Sequence, residues 1–105
     1  MNHKELLDLT DEVHEKCKQI LSKKKKSREL PDDRLFQFRL DANLRQCSMI
    51  EAVADMMTKH TTQFYTMVKE HSAGVKIAKK VWESTILDHI NYLYLTLAVL
   101  EEDDE

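Results

Sequence analysis

The stretch from Asp88 to Leu100 decides the fold, and it reads Asp-His-Ile-Asn-Tyr-Leu-Tyr-Leu-Thr-Leu-Ala-Val-Leu. It contains no glycine or proline, and no charged residue follows Ile90 within it. Its leucines recur at helical spacings, which predicts a helix. A helix that is apolar all round has to be buried on more than one side. We therefore expect the rest of the chain to surround this helix.

The composition is that of one small helical domain. The chain has 105 residues, of which 42% are hydrophobic, with a single glycine and a single proline. We expect one domain over 1–105, made of an N-terminal helix and basic loop (1–30), a helical core (31–100) and an acidic tail (101–105). The formal net charge of -3 does not favour direct nucleic-acid binding, which normally requires a basic domain.

The expected location is the cytoplasm, without association with a membrane. The longest uncharged run is shorter than the ~18 apolar residues that a membrane span needs. The N-terminus does not lead into the apolar segment of a signal peptide. Only two cysteines are present, Cys17 and Cys47, and we expect both to be reduced thiols, because a small secreted scaffold usually carries more.

Four helices are predicted, and no segment has the pattern of a strand. Pro31 stops any helix before it, with Asp32 or Asp33 as the next cap, while Ser48 and Glu51 form a capping box that opens the third helix. The expected ranges are 4–24 (or a start capped by Thr10), 34–46, 49–71 and 75–100. The predicted fold is all-α, a small bundle of three long helices and one short helix. A chain this small covers the fourth helix poorly, so we expect a two-fold homodimer that pairs these helices.

Asp88 and Asn91 are the first candidates for a site, because they lie three apart on one helical face. One interpretation is a polar metal or nucleotide pocket inside the bundle. The other is a buried structural pair, with partners on neighbouring helices. Arg34, Lys59 and His60 are the candidate partners, and His60 falls within the apolar stripe of the third helix. The sequence leaves both interpretations open.

Carboxylates on two helices offer a second possibility. Glu51 and Asp55 lie on the third helix, and Glu83 and Asp88 lie on the fourth. Carboxylates that project from facing helices of a bundle can hold Mg²⁺, with Asp55 and Asp88 as the central ligands. The alternative is that Glu51 caps its helix and Asp55 is solvated. His14 and Cys17 have a spacing compatible with zinc but lack a convincing third ligand.

Four residues are candidates for a dimer or partner interface: Trp82, Tyr92, Tyr94 and Leu97. Large aromatic side chains are common anchors of protein interfaces. The basic run Lys23–Lys26 fits a nucleic-acid patch or a localisation signal, but a solvated helix end with favourable charge is the better explanation. The acidic tail 101–105 is likewise best explained as a solvated terminus rather than as a mimic of nucleic acid.

Three clusters of residues together resemble a known group of proteins. They are Asp33-Arg34-Leu35-Phe36-Gln37-Phe38, then Met56-Met57-Thr58-Lys59-His60, then Trp82-Glu83 followed by Asp88-His89-Ile90-Asn91-Tyr92-Leu93. Their order resembles small all-helical proteins encoded by bacteriophages and prophages, mostly of Gram-positive hosts, which carry D-R-L-x-x-F, M-x-x-K-H and D-x-I-N-Y-L. The resemblance covers about 33–100. It implies a phage origin and a place in the host cytoplasm, but no particular reaction.

The D-x-x-N-Y-L ending also resembles nucleotide-modification-associated helical domains. More remotely, it is similar to the all-α NTP pyrophosphohydrolases, which include MazG-like enzymes and dimeric dUTPases. Those enzymes hold Mg²⁺ with an E-x-x-E pair and an E-x-x-D pair. Here Glu51 and Asp55 are four apart, Glu83 and Asp88 are five apart, and Asn91 stands three after Asp88. This resemblance therefore implies the fold more than the catalysis.

Two hypotheses follow. The first is a phage-encoded helical protein without catalytic activity, a homodimer that binds a host or phage protein, for example as an inhibitor of a host nuclease or defence system. The second is a Mg²⁺-dependent nucleotide pyrophosphohydrolase or nucleotide-binding protein. In the second, Arg34 or Lys59 would neutralise phosphate and Asn91 would orient the substrate. Its metal-holding residues would be Glu51, Asp55, Glu83 and Asp88.

Overall fold

The computed structural model of the chain describes residues 1–26 and 33–103, except for the side chains of 24–26 and 103. The predicted break at Pro31, the cap at Asp32, the side chains of Lys24–Lys26 and the last two residues of the acidic tail lie outside the described residues. The described residues form four α-helices and no strand, which confirms the all-α class. The helices are α1 (His3–Lys26), α2 (Phe36–Arg45), α3 (Met49–Ser72) and α4 (Lys79–Asp103).

The centre of the fold is an antiparallel hairpin of α3 and α4. Along this pair, Phe64 lies against Trp82, Thr61 hydrogen-bonds to His89, and His60 lies against Tyr92. The residue numbers of these contacts decrease along α3 as they increase along α4, so the two helices run antiparallel. The alternating three-and-four spacing on α3 therefore marks its face toward α4, as in bundle helices.

The best-packed part of the core lies at one end of this hairpin, where α2 covers it. Its buried centre consists of Leu35, Phe38, Val53 and Val99. The α2 side chain Phe38 thus meets the first turns of α3 and the last turns of α4. Burial of each large apolar side chain contributes roughly 1.5–3 kcal/mol. This end holds together three of the four helices.

The capping box that the sequence predicts for α3 is present. The Ser48 hydroxyl accepts a hydrogen bond from the Glu51 amide at 3.2 Å, and the Ser48 amide donates to the Glu51 carboxylate at 3.4 Å. Just before it, Gln46 ends α2 in the left-handed conformation, with φ 55°. Each bond satisfies a backbone donor that the helix itself leaves unpaired.

α1 begins at His3, within one residue of the predicted start at 4. The alternative cap on Thr10 is wrong, because the Asn2 side chain accepts from the Glu5 amide at 2.8 Å and so caps the helix. Thr10 is interior and donates to the Leu6 carbonyl. α4 begins at Lys79 rather than directly after Gly74. The residues between them lack a Ser, Thr, Asp or Asn that could cap an earlier start.

α1 packs on α4 and crosses it steeply. Lys16 pairs with Glu83 at 2.9 Å, whereas His14 hydrogen-bonds to Tyr94 at 2.8 Å. These two contacts lie two residues apart on α1 but eleven residues apart on α4, which is about 16 Å along the helix axis. In parallel or antiparallel helices, two contacts would be separated by about the same number of residues on each helix. Within the described part of the chain, no helix is long and apolar enough to cross a membrane.

Candidate functional site

Three of the four carboxylates of the predicted magnesium site, Glu51, Asp55 and Glu83, lie in separate contacts. Glu51 belongs to the capping box of α3. Asp55 pairs with Arg45 at 2.8 Å, and the pKa of that guanidinium is raised, first through the hydrogen bond with Asp55. Glu83 pairs with Lys16 and raises the pKa of its ammonium group. Over residues 1–26 and 33–103, no three His, Cys, Asp or Glu side chains are arranged to hold a metal ion.

The predicted polar site is only partly assembled. His60 and Tyr92 bring their ring centroids to 4.9 Å with a tilt of 36°. The pKa of Tyr92 is raised, chiefly because of burial and then because of the nearby negative charge of Asp88. Arg34 lies elsewhere and donates to the Leu21 carbonyl at 2.7 Å. Lys59 is exposed to solvent. The structure thus places His60 against Tyr92, with Asp88 one helical turn before Tyr92 on α4, and gives Arg34 a partner on α1 instead.

Asn91 is the most unusual residue of this region. It is 2% exposed, and neither amide atom of its side chain has a hydrogen-bond partner among the described residues. A buried polar group without a partner costs free energy that an apolar side chain of the same shape would not. Asn91 therefore contributes nothing evident to the stability of the single chain.

The four predicted interface residues have different surroundings. Trp82 is half-buried, with its ring edge-on to His71 at 5.8 Å and to Phe64 at 6.3 Å. Tyr92 lies against His60, and the hydroxyl of Tyr94 bonds to His14. Leu97 is 64% exposed. The aromatic members of this group therefore pack within the chain, and Leu97 is the member most open to a partner.

Leu97 belongs to a longer apolar line on the outer side of α4, which we call the α4 seam. Its members follow a 4,3,4,3 spacing, the spacing of a coiled-coil contact line. They are Ile86, Ile90, Leu93, Leu97 and Leu100. The exposed fractions of Ile86, Leu93 and Leu100 are 40%, 49% and 46%. Four large apolar side chains in one line thus face solvent, although the sequence predicted burial around the helix.

A cavity of about 360 Å³ lies where α1 crosses α4. Its walls are mainly apolar, with the hydrogen-bonded pair of His14 and Tyr94 beside them. It is lined by Leu9, Thr10, Asp11, Val13, His14, Cys17, Ile90 and Tyr94. Cys17 is fully buried, and burial raises the pKa of its thiol. The cavity marks the outer edge of the contact between α1 and α4.

Toward its N-terminus, α1 continues into solvent. We call residues 1–12 the α1 arm, and every one of them is exposed, although Leu9, Thr10 and Asp11 also line the edge of the cavity. The exposed leucines Leu6 and Leu9 lie on the same helical face as Cys17, which is buried against the body. The other faces carry four carboxylates against one lysine. The arm is therefore an acidic amphipathic helix whose apolar face extends past its own protein.

Comparisons with known proteins add no relative. No protein-family description matches the chain, and neither a curated protein nor a solved structure is detectably similar to it.

Proposed function

We propose that this protein acts by binding another protein, and that the α1 arm is the element that binds. The observation that carries the proposal is the exposure of Leu6 and Leu9 on the face that Cys17 buries farther along the same helix. An isolated helix as short as this arm is marginal in water. A groove that accepted its apolar face would stabilise the arm and bury its leucines.

The charge of the arm indicates the chemistry of the partner. Glu5 and Asp8 are exposed, and Asp11 and Glu12 follow them. An amphipathic helix binds with its apolar face in a groove, and complementary charges along the rim guide the encounter. The matching partner has an apolar groove edged by lysine or arginine residues.

A basic groove of this kind is typical of proteins that bind nucleic acid. We therefore propose a host nuclease or defence protein as the partner class, with the protein acting as its inhibitor. A phage or prophage origin, and action in the cytoplasm of a bacterial host, are part of the same proposal. They are supported by the resemblance of the three sequence clusters around Asp33, Lys59 and Asn91.

We further propose that the protein works as a homodimer. The α4 seam supports this, because four of its five side chains are substantially exposed. A contiguous apolar patch of that kind marks an interaction surface in soluble proteins. The α1 arm lies on another helix, and its first eight residues, which include Leu6, do not line the cavity beside Ile90.

The test of arm binding uses three variants of the purified protein in captures from a bacterial lysate. Leu6→Glu removes the apolar anchor, and the double change Glu5→Lys with Asp8→Lys reverses the rim charge. Leu44→Glu on α2, where the leucine is 75% exposed, is the control. We expect a captured protein that Leu44→Glu retains and both arm variants lose, and its affinity is then measured with the purified partner. Equal capture by all variants, or capture by none, would refute binding through the arm.

The Mg²⁺-dependent alternative has less support. It would require Asp55 to leave Arg45 and Glu83 to leave Lys16 before either carboxylate could join a common metal. Its test is release of pyrophosphate from the four dNTPs in the presence of Mg²⁺, together with the shift of melting temperature that each causes. An increase in both with Mg²⁺, abolished by Asp88→Asn, would favour this alternative over protein binding.

A further inference from the structure

We infer that the α4 seam is the contact surface for a second copy of this chain, and that the two α4 helices pair antiparallel about a two-fold axis. The inference rests on the proposed homodimer and specifies its surface, direction and register. The seam's 4,3,4,3 spacing from Ile86 to Leu100 is that of helices whose side chains interlock along their length. Ile90 also lines the cavity beside α1, so a helix seated on the seam would cover the edge of that cavity.

The charge pattern of α4 fits a second copy. In a two-fold contact the same surface occurs on both sides, so a charged surface would repel itself. From Ser84 to Leu100 the one residue with a formal charge is Asp88, which lies about 200° around the helix from Ile90. His89 and Thr96 flank the seam. The surface is therefore apolar and uncharged, and a second copy can pack on it without repulsion between like charges.

The two ends of α4 determine the direction. The helix begins with Lys79 and Lys80 and ends with Glu101 and Glu102. This is the reverse of the arrangement that the helix dipole favours. A parallel pair would place lysines beside lysines and glutamates beside glutamates. An antiparallel pair brings the basic start of each helix to the acidic end of the other.

The register follows from the same ends. α4 spans Lys79–Asp103, so complete antiparallel overlap places the axis near its midpoint, at Asn91 and Tyr92. Ile86 of one copy then lies opposite Leu97 of the other, and Ile90 lies opposite Leu93. In this register Lys79 comes within about one helical turn of the second copy's Glu101. The apolar side chains of the seam and the charges at the helix ends therefore favour the same antiparallel register.

The first experiment measures the molar mass in solution over a range of concentrations by light scattering and sedimentation. We expect twice the chain mass for the unchanged protein. Leu93→Glu and Leu97→Glu should each weaken association by on the order of 100-fold, since each change occurs twice in the contact. Leu44→Glu on α2 is the matched control and should remain dimeric. A monomer at all concentrations, or a dimer unaffected by both seam variants, would overturn the inference.

The second experiment tests direction by disulfide formation in a Cys47→Ser background. A mixture of chains carrying Ile86→Cys and chains carrying Leu97→Cys should cross-link, whereas neither variant should cross-link alone. In the antiparallel register the two 97 positions lie about 16 Å apart along the axis, beyond the ~7 Å that a disulfide allows between α-carbons. Cross-linking of Leu97→Cys with itself would instead show a parallel pair.

Failure of this inference and failure of the proposed function give different results. If the chain is monomeric but loses its partner on Leu6→Glu, the arm proposal stands and the pairing is wrong. If it is a dimer through the seam but Leu6→Glu leaves capture unchanged, the pairing stands and the arm proposal is wrong.

Discussion

The guanidinium of Arg39 lies 2.8 Å from the carboxylate of Glu102 and joins α2 to the last turns of α4 across 63 positions of sequence. The same group also pairs with Asp33 at 2.8 Å. Its pKa is raised, first by Glu102 and then by Asp33. These bonds hold the entry to α2 against the end of α4, directly beside the core around Val99.

The first prediction concerns acid stability. The pKa of Asp33 is lowered, chiefly by its hydrogen bonds with Arg39 and also by the Leu35 amide. A lowered pKa in the folded state stabilises the protein above the unfolded value, about 3.9 for aspartate, and this stability is lost as the pH falls through the folded value. Asp33→Asn should therefore lower the melting temperature at pH 7 more than at pH 3.

The control for this prediction is Asp8→Asn on the exposed α1 arm, measured by circular dichroism at both pH values. It should leave the difference between pH 7 and pH 3 unchanged. A pH-independent effect of Asp33→Asn would mean that the carboxylate charge does not stabilise the entry to α2.

The second prediction concerns Asn91. Leucine has the same branching as asparagine but no polar atoms to satisfy, so Asn91→Leu should raise the free energy of unfolding by ~1–3 kcal/mol. Urea unfolding measures this, and Asn91→Ala, which leaves a cavity, should not stabilise. Loss of stability in the leucine variant would indicate that the amide has a hydrogen-bond partner in solution.

The third prediction uses the two thiols to report on the attachment of α1. Cys17 is buried, and burial raises the pKa of its thiol, so both access and the thiolate fraction are low. Cys47 is only half-buried. An alkylating reagent at pH 8 should modify Cys47 first, and modify Cys17 at least ~10-fold more slowly. Equal rates, read by mass spectrometry, would show that α1 detaches readily from α4.

The fourth prediction concerns alkaline pH. Burial and the charge of Asp88 raise the pKa of Tyr92. A raised pKa stabilises the fold fully below the unfolded value of about 10, and this contribution is lost as the pH rises through the folded value. Asp88→Asn removes the charge that helps to raise this pKa. In a Tyr65→Phe, Tyr94→Phe background, the tyrosinate absorbance should therefore appear at lower pH after this change. An unchanged titration would place the Asp88 charge too far away to act.

Local patterns predicted much of the fold. The Ser48 capping box and the face of α3 through Val53, His60 and Met67 depend on residues a few positions apart, which the sequence displays directly. The start of α4 at Lys79 was not predicted, because Gly74 ends α3 without specifying where the next helix begins. The steep crossing at Lys16 and Glu83 depends on contacts between distant residues, which periodicity does not encode.

The candidate site was less predictable for the same reason. Asp88 and Asn91 share a helical face, as the spacing requires, but their surroundings depend on how α1 and α3 lie against α4. The sequence could not show that Arg45 neutralises Asp55. The 4,3,4,3 spacing of the α4 seam was present in the sequence. Because apolar residues occur on all sides of this helix, the sequence alone did not distinguish the seam from the buried faces.

The steep crossing of α1 over α4 has a mechanical consequence. Cys17 and its neighbours form the contact about which the α1 arm would tilt. Leu6 lies eleven residues away, about 16 Å along the helix. A tilt of roughly 10° about this contact would move the tip of the arm by about 3 Å. Side chains of a second copy seated beside Ile90 would contact α1 near the same point, so pairing of the two chains would set the orientation of both α1 arms.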